Sequence, residues 1–436
     1  MKKTVIICLM TLFTVVMSGC SLIFEEPSTL ILPPATSQEQ YTERMLINRF
    51  LSNDEHLEVP ENMDHPAAFI DLDVDGDKTN EKMVFWSKRN GYEVGALILK
   101  QDAAGDWMAL DQVHQYGNAI DYFKLLDIDK DGKQEACIGA DMGNANVLYV
   151  YRIGQKGFEE INQINYSKLE IVDIGNTGHS VLLCALNDSN ETNPTTTLYK
   201  YEFKKECKCV YEETFDGSCV DLKFGNVGNN KQGLYFMRTG DYANFNVDLL
   251  LPNKSGGFDE QMTARVLNVN SSSDLMSLIG DATGDSVLDI RTVIEPIDSP
   301  KRNVGDYIKA WKSWDGEGAL EYVYGVLENN TDGYTFVLPK ESLGQLRYQF
   351  INEKGSSQVR FYDGDNTEPA FVLYAQSASE TEKIKNKEGI ISLGTSPSHQ
   401  RSYFALCNKR TFANQPMNET ILREAFQIEG GQQNDK

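Results

Sequence analysis

Leu126-Asp-Ile-Asp-Lys-Asp-Gly132, followed after three residues by Ala136-Cys-Ile-Gly139, reads as a strand, a tight acidic turn and a second strand. Aspartates closely spaced before a glycine favour turns, and the apolar runs on either side favour strands. The order recurs in Phe69-Ile-Asp-Leu-Asp-Val-Asp-Gly76, Val172-Asp-Ile-Gly-Asn-Thr-Gly178, Leu222-Lys-Phe-Gly-Asn-Val-Gly228 and Leu278-Ile-Gly-Asp-Ala-Thr-Gly284. The anchoring glycines are 56, 46, 50 and 56 residues apart. Strand-like runs follow each loop: Lys82–Trp86, Ala136–Gly139, Val181–Cys184, Leu234–Met237 and Ile290–Ile294. Leu97–Leu99 and Val147–Tyr151 supply further strands, and Gly105-Asp106 and Gly154-Gln-Lys-Gly157 supply turns. A unit of about four strands in some 50 residues cannot bury its own faces. Five such units therefore predict a mainly β chain, with one closed five-bladed β-propeller over residues 62–325.

The Asp-x-Asp-x-Asp-Gly loops followed by apolar strands resemble FG-GAP/VCBS repeat proteins. Leu30-Ile-Leu-Pro-Pro34, the five loops and Ile294-Glu-Pro296 together are similar to a group of FG-GAP/VCBS-containing lipoproteins of Gram-positive, Clostridia-like bacteria. Most of the mature chain is covered by this resemblance, which implies an architecture more than an activity. The third and fourth repeats depart from the acidic pattern. In the second, Asp127, Asp129, Asp131 and Glu135 fall at positions 1, 3, 5 and 9, with Gly132 at 6 and the Lys133 carbonyl at 7. A Gly-turned loop of oxygen ligands suits calcium. The first repeat offers Asp71, Asp73, Asp75, the Asp77 carbonyl and, after two extra residues, Glu81; the fifth offers Asp281, Asp285 and Asp289. The expected role of calcium is structural, relieving repulsion among carboxylates. The alternative is that the aspartates only cap their own turns.

The start of the chain carries an address. Lys2 and Lys3 precede the apolar run Val5–Val16, which is shorter than the roughly 20 apolar residues of a spanning helix. Met17-Ser-Gly-Cys20 resembles a bacterial lipobox, which implies a signal peptide at 1–19 and a diacylglycerol on Cys20. Residues 20–36, with Pro27, Pro33 and Pro34, read as a lipidated tether. The expected location is the outer face of a cell membrane. Ser37 and Gln40 form a capping box, and Tyr41, Met45, Leu46, Phe50 and Leu51 make an apolar stripe. A helix is predicted over 38–52, within an N-terminal helix and lead-in at 37–61.

Beyond the repeats, residues 326–428 read as a separate α+β domain, followed by a disordered tail at 429–436. Arg347–Ile351, Gln358–Tyr362, Ala370–Tyr374 and Tyr403–Leu406 read as strands, and Asn418 is placed to cap a helix through Phe426. The opening Tyr334-Thr-Phe-Val-Leu-Pro339 with these strands is similar to PsbP-like domains.

A formal charge of −23 argues against nucleic acid as a partner. Cys137 and Cys184 lie in apolar runs and read as buried free thiols. Cys207, Cys209 and Cys219 allow a hairpin crosslink, with connectivity left open by spacing; as a zinc site they lack a fourth ligand. His56, His65, His114, His179 and His399 are scattered singly, and the nucleophile-elbow, phosphate-loop, dinucleotide and zincin signatures are missing. Trp311, Trp314, Tyr322 and Tyr324 suit strand packing better than a sugar platform. The favoured reading is a binding or assembly module for an envelope protein or glycan; the alternative is an envelope enzyme acting, for example, on carbohydrate. An open mouth with convergent acids and a histidine would favour the enzyme.

Overall fold

In a computed structural model of the protein, residues 38–433 are described apart from 75–76, 90, 144, 189–191, 204–206, 241–243, 268–277, 298–306, 410 and 430–431. The signal segment, Cys20, the tether, Ser37 and Asp75 lie outside the described residues. The chain is mainly β, in several antiparallel sheets, none closed into a barrel. Among the described residues there is no helix between 48 and 339.

Each repeat contributes the core of one sheet. Sheet 2 takes Ile120–Leu126, Glu135–Asp141, Asn146–Gly154 and Gly157–Tyr166 in sequence order. Sheet 3 takes Lys168–Asp173, Ser180–Asn187, Thr195–Phe203 and Cys207–Asp216. Sheet 4 takes Cys219–Asn226, Gln232–Thr239, Asn244–Pro252 and Phe258–Leu267. In sheet 1, Glu55–Leu57 and Phe69–Leu72 share one edge of Glu81–Lys88, with Glu93–Gln101 and Trp107–Tyr116 beyond. Between those two short strands the chain leaves its own sheet. Asn62 bridges in parallel to Tyr122 on the first strand of sheet 2, and Phe123 donates its N–H to the Asn62 carbonyl at 3.0 Å.

The second strand of each repeat is apolar on both sides because it faces a neighbour on both sides. Met83 and Phe85 join the core shared with sheet 2, whereas Val84 and Trp86 pack against the N-terminal helix through Ile47. Alternation continues along the series. Ala136 and Ile138 face sheet 1, and Cys137 faces sheet 3; Leu182 and Cys184 face sheet 2, and Val181 and Leu183 face sheet 4. Leu234 and Phe236 then look back to sheet 3, and Tyr235 and Met237 forward to sheet 5.

Sheet 5 departs from the expected boundary. Its first strands are Ile279–Gly280, Asp289–Ile294 and Ile308–Trp314, but the next, Leu320–Asn329, runs across the 325/326 boundary expected from the sequence. Tyr334–Val337 and Phe426–Ile428 then extend the same sheet, so the C-terminal segment is built onto the fifth repeat. The sixth sheet runs Leu346–Glu353, Ser356–Asp363, Phe371–Gln376, Arg401–Cys407, Ile390–Ser396 and Gln432–Gln433. The last of these pairs with Gly394 and Thr395, so part of the tail expected to be disordered is ordered as a strand. Ile308 and Leu327 of sheet 5 share a core with Tyr348, Phe361 and Phe371 of sheet 6, where the Phe361 and Phe371 rings stack at 4.4 Å. The Tyr348 hydroxyl donates to the Ile294 carbonyl at 2.7 Å and accepts from Ile308 N–H at 3.0 Å. Among the described cores, none is shared by sheets 1 and 5.

The N-terminal helix spans Gln38–Ile47, shorter than the predicted 38–52. Of the expected stripe, Phe50 and Leu51 pack on the core of sheet 1, whereas Tyr41 is 60% and Met45 49% exposed. Within the helix Ile47 is the buried residue of that core, and Glu43, one turn earlier, pairs with Lys82 at 2.9 Å. Asn418 caps Glu419–Ala425 through Ile421 N–H, as its position suggested. The helix Ala378–Lys385 was not foreseen.

Candidate functional site

The loop of the second repeat turns through two left-handed residues, Lys130 at φ 63° and Gly132 at φ 88°. Gly132 N–H donates to Asp127 Oδ2 at 3.0 Å, Lys133 N–H to Asp131 Oδ1 at 2.9 Å, and Ile128 N–H to Glu135 Oε2 at 3.1 Å. Carboxylate oxygens of Asp127, Asp129 and Glu135 lie within 4.8 Å of one another. Asp131 is turned toward Lys133 and is not part of that trio. Glu135 is fully buried, which pushes its carboxyl up to about 7. Asp127 Oδ1 is buried without a hydrogen-bond partner, the kind of orphaned acceptor that a cation satisfies. The residues present therefore fit a calcium ion.

The first loop corrects the ligand frame read from sequence. Asp71 sits in the strand Phe69–Leu72, and its carboxylate is spent on Lys82 at 2.6 Å, directly across the ladder. The loop begins at Asp73, whose Oδ2 accepts Lys78 N–H at 2.9 Å, five residues on, as Asp127 accepts Gly132. Asp77 Oδ1 accepts Thr79 N–H at 2.7 Å, and buried Glu81 accepts Val74 N–H at 2.9 Å. With Asp73 at position 1, Asp75 and Asp77 take positions 3 and 5, and Glu81 takes 9 with no inserted residues. Asp77 thus offers a side chain where a carbonyl was expected.

The same template extends further than the acidic pattern. Asp173 Oδ2 accepts Gly178 N–H at 2.6 Å and Asp281 Oδ2 accepts Ser286 N–H at 2.8 Å, again five residues on. In the fifth repeat, buried Asp289 accepts Ala282 N–H at 2.9 Å, as Glu81 and Glu135 do in theirs. The signal available in the sequence was an acid repeated eight residues on, at 73 and 81, 127 and 135, and 281 and 289.

A cavity of about 730 Å³ lies where the first strands of sheets 2, 3 and 4 meet residues 61–64, with Leu278, just before sheet 5, and Arg291 of sheet 5. Acids in its wall hold the strands to one another. Glu170 of sheet 3 accepts Phe224 N–H of sheet 4 at 2.5 Å and pairs with Lys223 at 2.8 Å; Asp221 of sheet 4 accepts Leu278 N–H at 3.1 Å. Asp121 accepts from the Tyr166 hydroxyl at 2.5 Å, and Gly139 makes room, since a Cβ there would lie 2.2 Å from that hydroxyl. Burial raises the Glu170 carboxyl, opposed by Lys223 and Phe224 N–H. Lys124 and Lys168 join Lys223 and Arg291 in the lining, which includes no described histidine.

Other candidates resolve as packing. Trp314 is buried in the core between sheets 4 and 5, Trp311 lies against Tyr324 at 5.3 Å, and Tyr322 packs on the core shared with sheet 6. All six described cysteines are free: Cys137, Cys184 and Cys219 are buried, and Cys209 is exposed. Cys219 opens sheet 4 while Cys207 and Cys209 lie on the last strand of sheet 3. Among the described residues, no helix is long and apolar enough to cross a membrane.

No family model matches the chain, and no curated protein matches it. Among solved structures, the crystal structure of the exotype rhamnogalacturonan lyase YesX is 13% identical, covering 84% of this chain and 77% of that one, with a TM-score of 0.24. A likeness of that size carries no argument about activity.

Proposed function

We propose that this chain is a lipid-anchored binding or assembly module on the outer face of a cell membrane, built as a five-bladed FG-GAP-like propeller with structural calcium loops. The observation that carries the reading is the charged cavity, on which strands from successive sheets converge. Strands stacked around one axis, each sheet sharing a core with the next, are what radial repetition requires. Glu170, Asp221 and Asp121 of the wall are engaged in holding strands together, and Lys124 and Lys168 are the groups read as meeting an envelope protein or glycan.

Calcium would be held by Asp127, Asp129 and Glu135, with Asp131 and the Lys133 carbonyl completing the set, and in the first repeat by Asp73, Asp75, Asp77 and Glu81. It supplies charge balance rather than chemistry. A lipid on Cys20 would provide the attachment. The soluble part from residue 21 should lose melting temperature on chelation and capture an envelope component less well after Lys124→Glu. The Cys20→Ser chain should leave the membrane fraction or keep its signal. An unchanged melting temperature with no calcium retained removes the metal; capture indifferent to Lys124→Glu removes the cavity; a cleaved Cys20→Ser chain still on the membrane removes the lipid.

A further inference from the structure

The acidic loop of the second repeat has a cation of its own. Arg152, on the third strand of sheet 2, stands opposite Glu135 in the ladder. Its guanidinium reaches Asp129 Oδ2 at 2.7 Å, Glu135 Oε1 at 3.3 Å and Asp131 Oδ2 at 3.8 Å. Two of these are the carboxylates that group with Asp127. The first repeat has a counterpart, since Lys100, on the third strand of that repeat, Glu93–Gln101, lies 3.5 Å from Glu81 and 3.6 Å from Asp77. In the fifth repeat a neutral group takes this role, the Ser313 hydroxyl donating to Asp289. A base supplied by the third strand to the buried acid of the second is therefore shared by the two most acidic loops.

We propose that Arg152 is a tethered counter-cation that holds the second loop folded without metal and sets its calcium affinity by competing for Asp129 and Glu135. The inference rests on the calcium reading of this loop. Charge-assisted bonds from a guanidinium are strong and directional. A divalent ion entering the trio must displace them or tolerate a positive charge against its ligands, and either weakens binding. Asp127 is the member of the trio that these bonds leave out, and its buried Oδ1 has no hydrogen-bond partner, so it offers an ion its first purchase. Affinity then depends on a side chain about twenty residues from the loop, which no ligand motif includes.

The test compares the soluble wild-type protein with Arg152→Gln and Arg152→Lys, by calorimetric titration with calcium chloride and by melting in chelator. Arg152→Gln should bind calcium about tenfold or more tightly, as expected for removing a charge from beside the ligands. It should also melt lower than wild type in chelator and recover when calcium is added. Arg152→Lys, which keeps the charge, should stay near wild type in both measurements. Arg152→Gln binding calcium no more tightly than wild type overturns the competition while leaving the calcium reading in place. A chelator melting temperature unchanged by Arg152→Gln overturns the counter-cation role. Failure of all three proteins to take up calcium sinks the calcium reading and the competition with it.

Discussion

Glu170 is pulled in two directions, by burial toward its neutral form and by Lys223 and Phe224 N–H toward its charged one, and burial prevails. Its carboxyl titrates above the ordinary value near 4.5, so over that interval the folded chain holds a proton that the unfolded chain has lost. The stability this contributes is fully present below the unfolded value and lost as pH rises through the raised one. Glu170→Gln stays neutral and still accepts from Phe224 N–H. It should flatten the fall of melting temperature above about pH 4.5, and a profile parallel to wild type would contradict the assignment. Residue identity explains the wandering glycines too. The loops have two left-handed positions, three and five residues after the first acid, occupied by Lys130 and Gly132, Asn176 and Gly178, or Gly284 and Ser286. Glycine at either position eases the turn, so aligning repeats on it mixes two sites.

At the level of strands and loops, sheet 4 offers the sharpest energetic test. Arg238 and Asp248 are buried on adjacent strands and joined at 2.6 and 2.7 Å, with Thr263 completing the carboxylate at 2.7 Å. The guanidinium lies over Phe215 and Phe236, within 5.7 Å of each ring. Asp248→Ala strands a buried cation and should cost about 3–5 kcal/mol in urea unfolding, with Asp248→Asn costing less. A loss under about 1 kcal/mol would show that the pair is well solvated. Legibility from sequence followed the same physics. The second strands were readable because burial on both faces makes them continuous apolar runs. The frame of the first loop was not, because Phe69-Ile-Asp-Leu-Asp-Val-Asp alternates without a break and only the cross-strand partner Lys82 shows that Asp71 still belongs to the strand. Ala378–Lys385 was missed because it is polar almost throughout and only Thr381 is buried. The trio of Asp127, Asp129 and Glu135 was legible from local spacing; Arg152 was not, since it arrives from another strand.

Across the whole molecule, cores link the sheets in series, from the N-terminal helix on sheet 1 to sheet 6 on sheet 5. Removing everything after residue 325 cuts within Leu320–Asn329, deletes Leu327 and uncovers Ile308. A chain ending there should be insoluble or lose its cooperative melting transition, whereas a soluble fragment melting like the full protein would make the C-terminal segment autonomous. That arrangement also dictates an order in time. Sheets 2, 3 and 4 are each finished by strands adjacent in sequence, but Phe426–Ile428 joins sheet 5 at partners 90 to 94 residues upstream. Local hairpins zip quickly, while closing so long an intervening loop is slow. A chain made from its N-terminus must therefore wait for Phe426–Ile428, and meanwhile Tyr334 and Phe336 stand on a bare strand edge, the moment at which a protease or a second unfinished copy has its best opportunity.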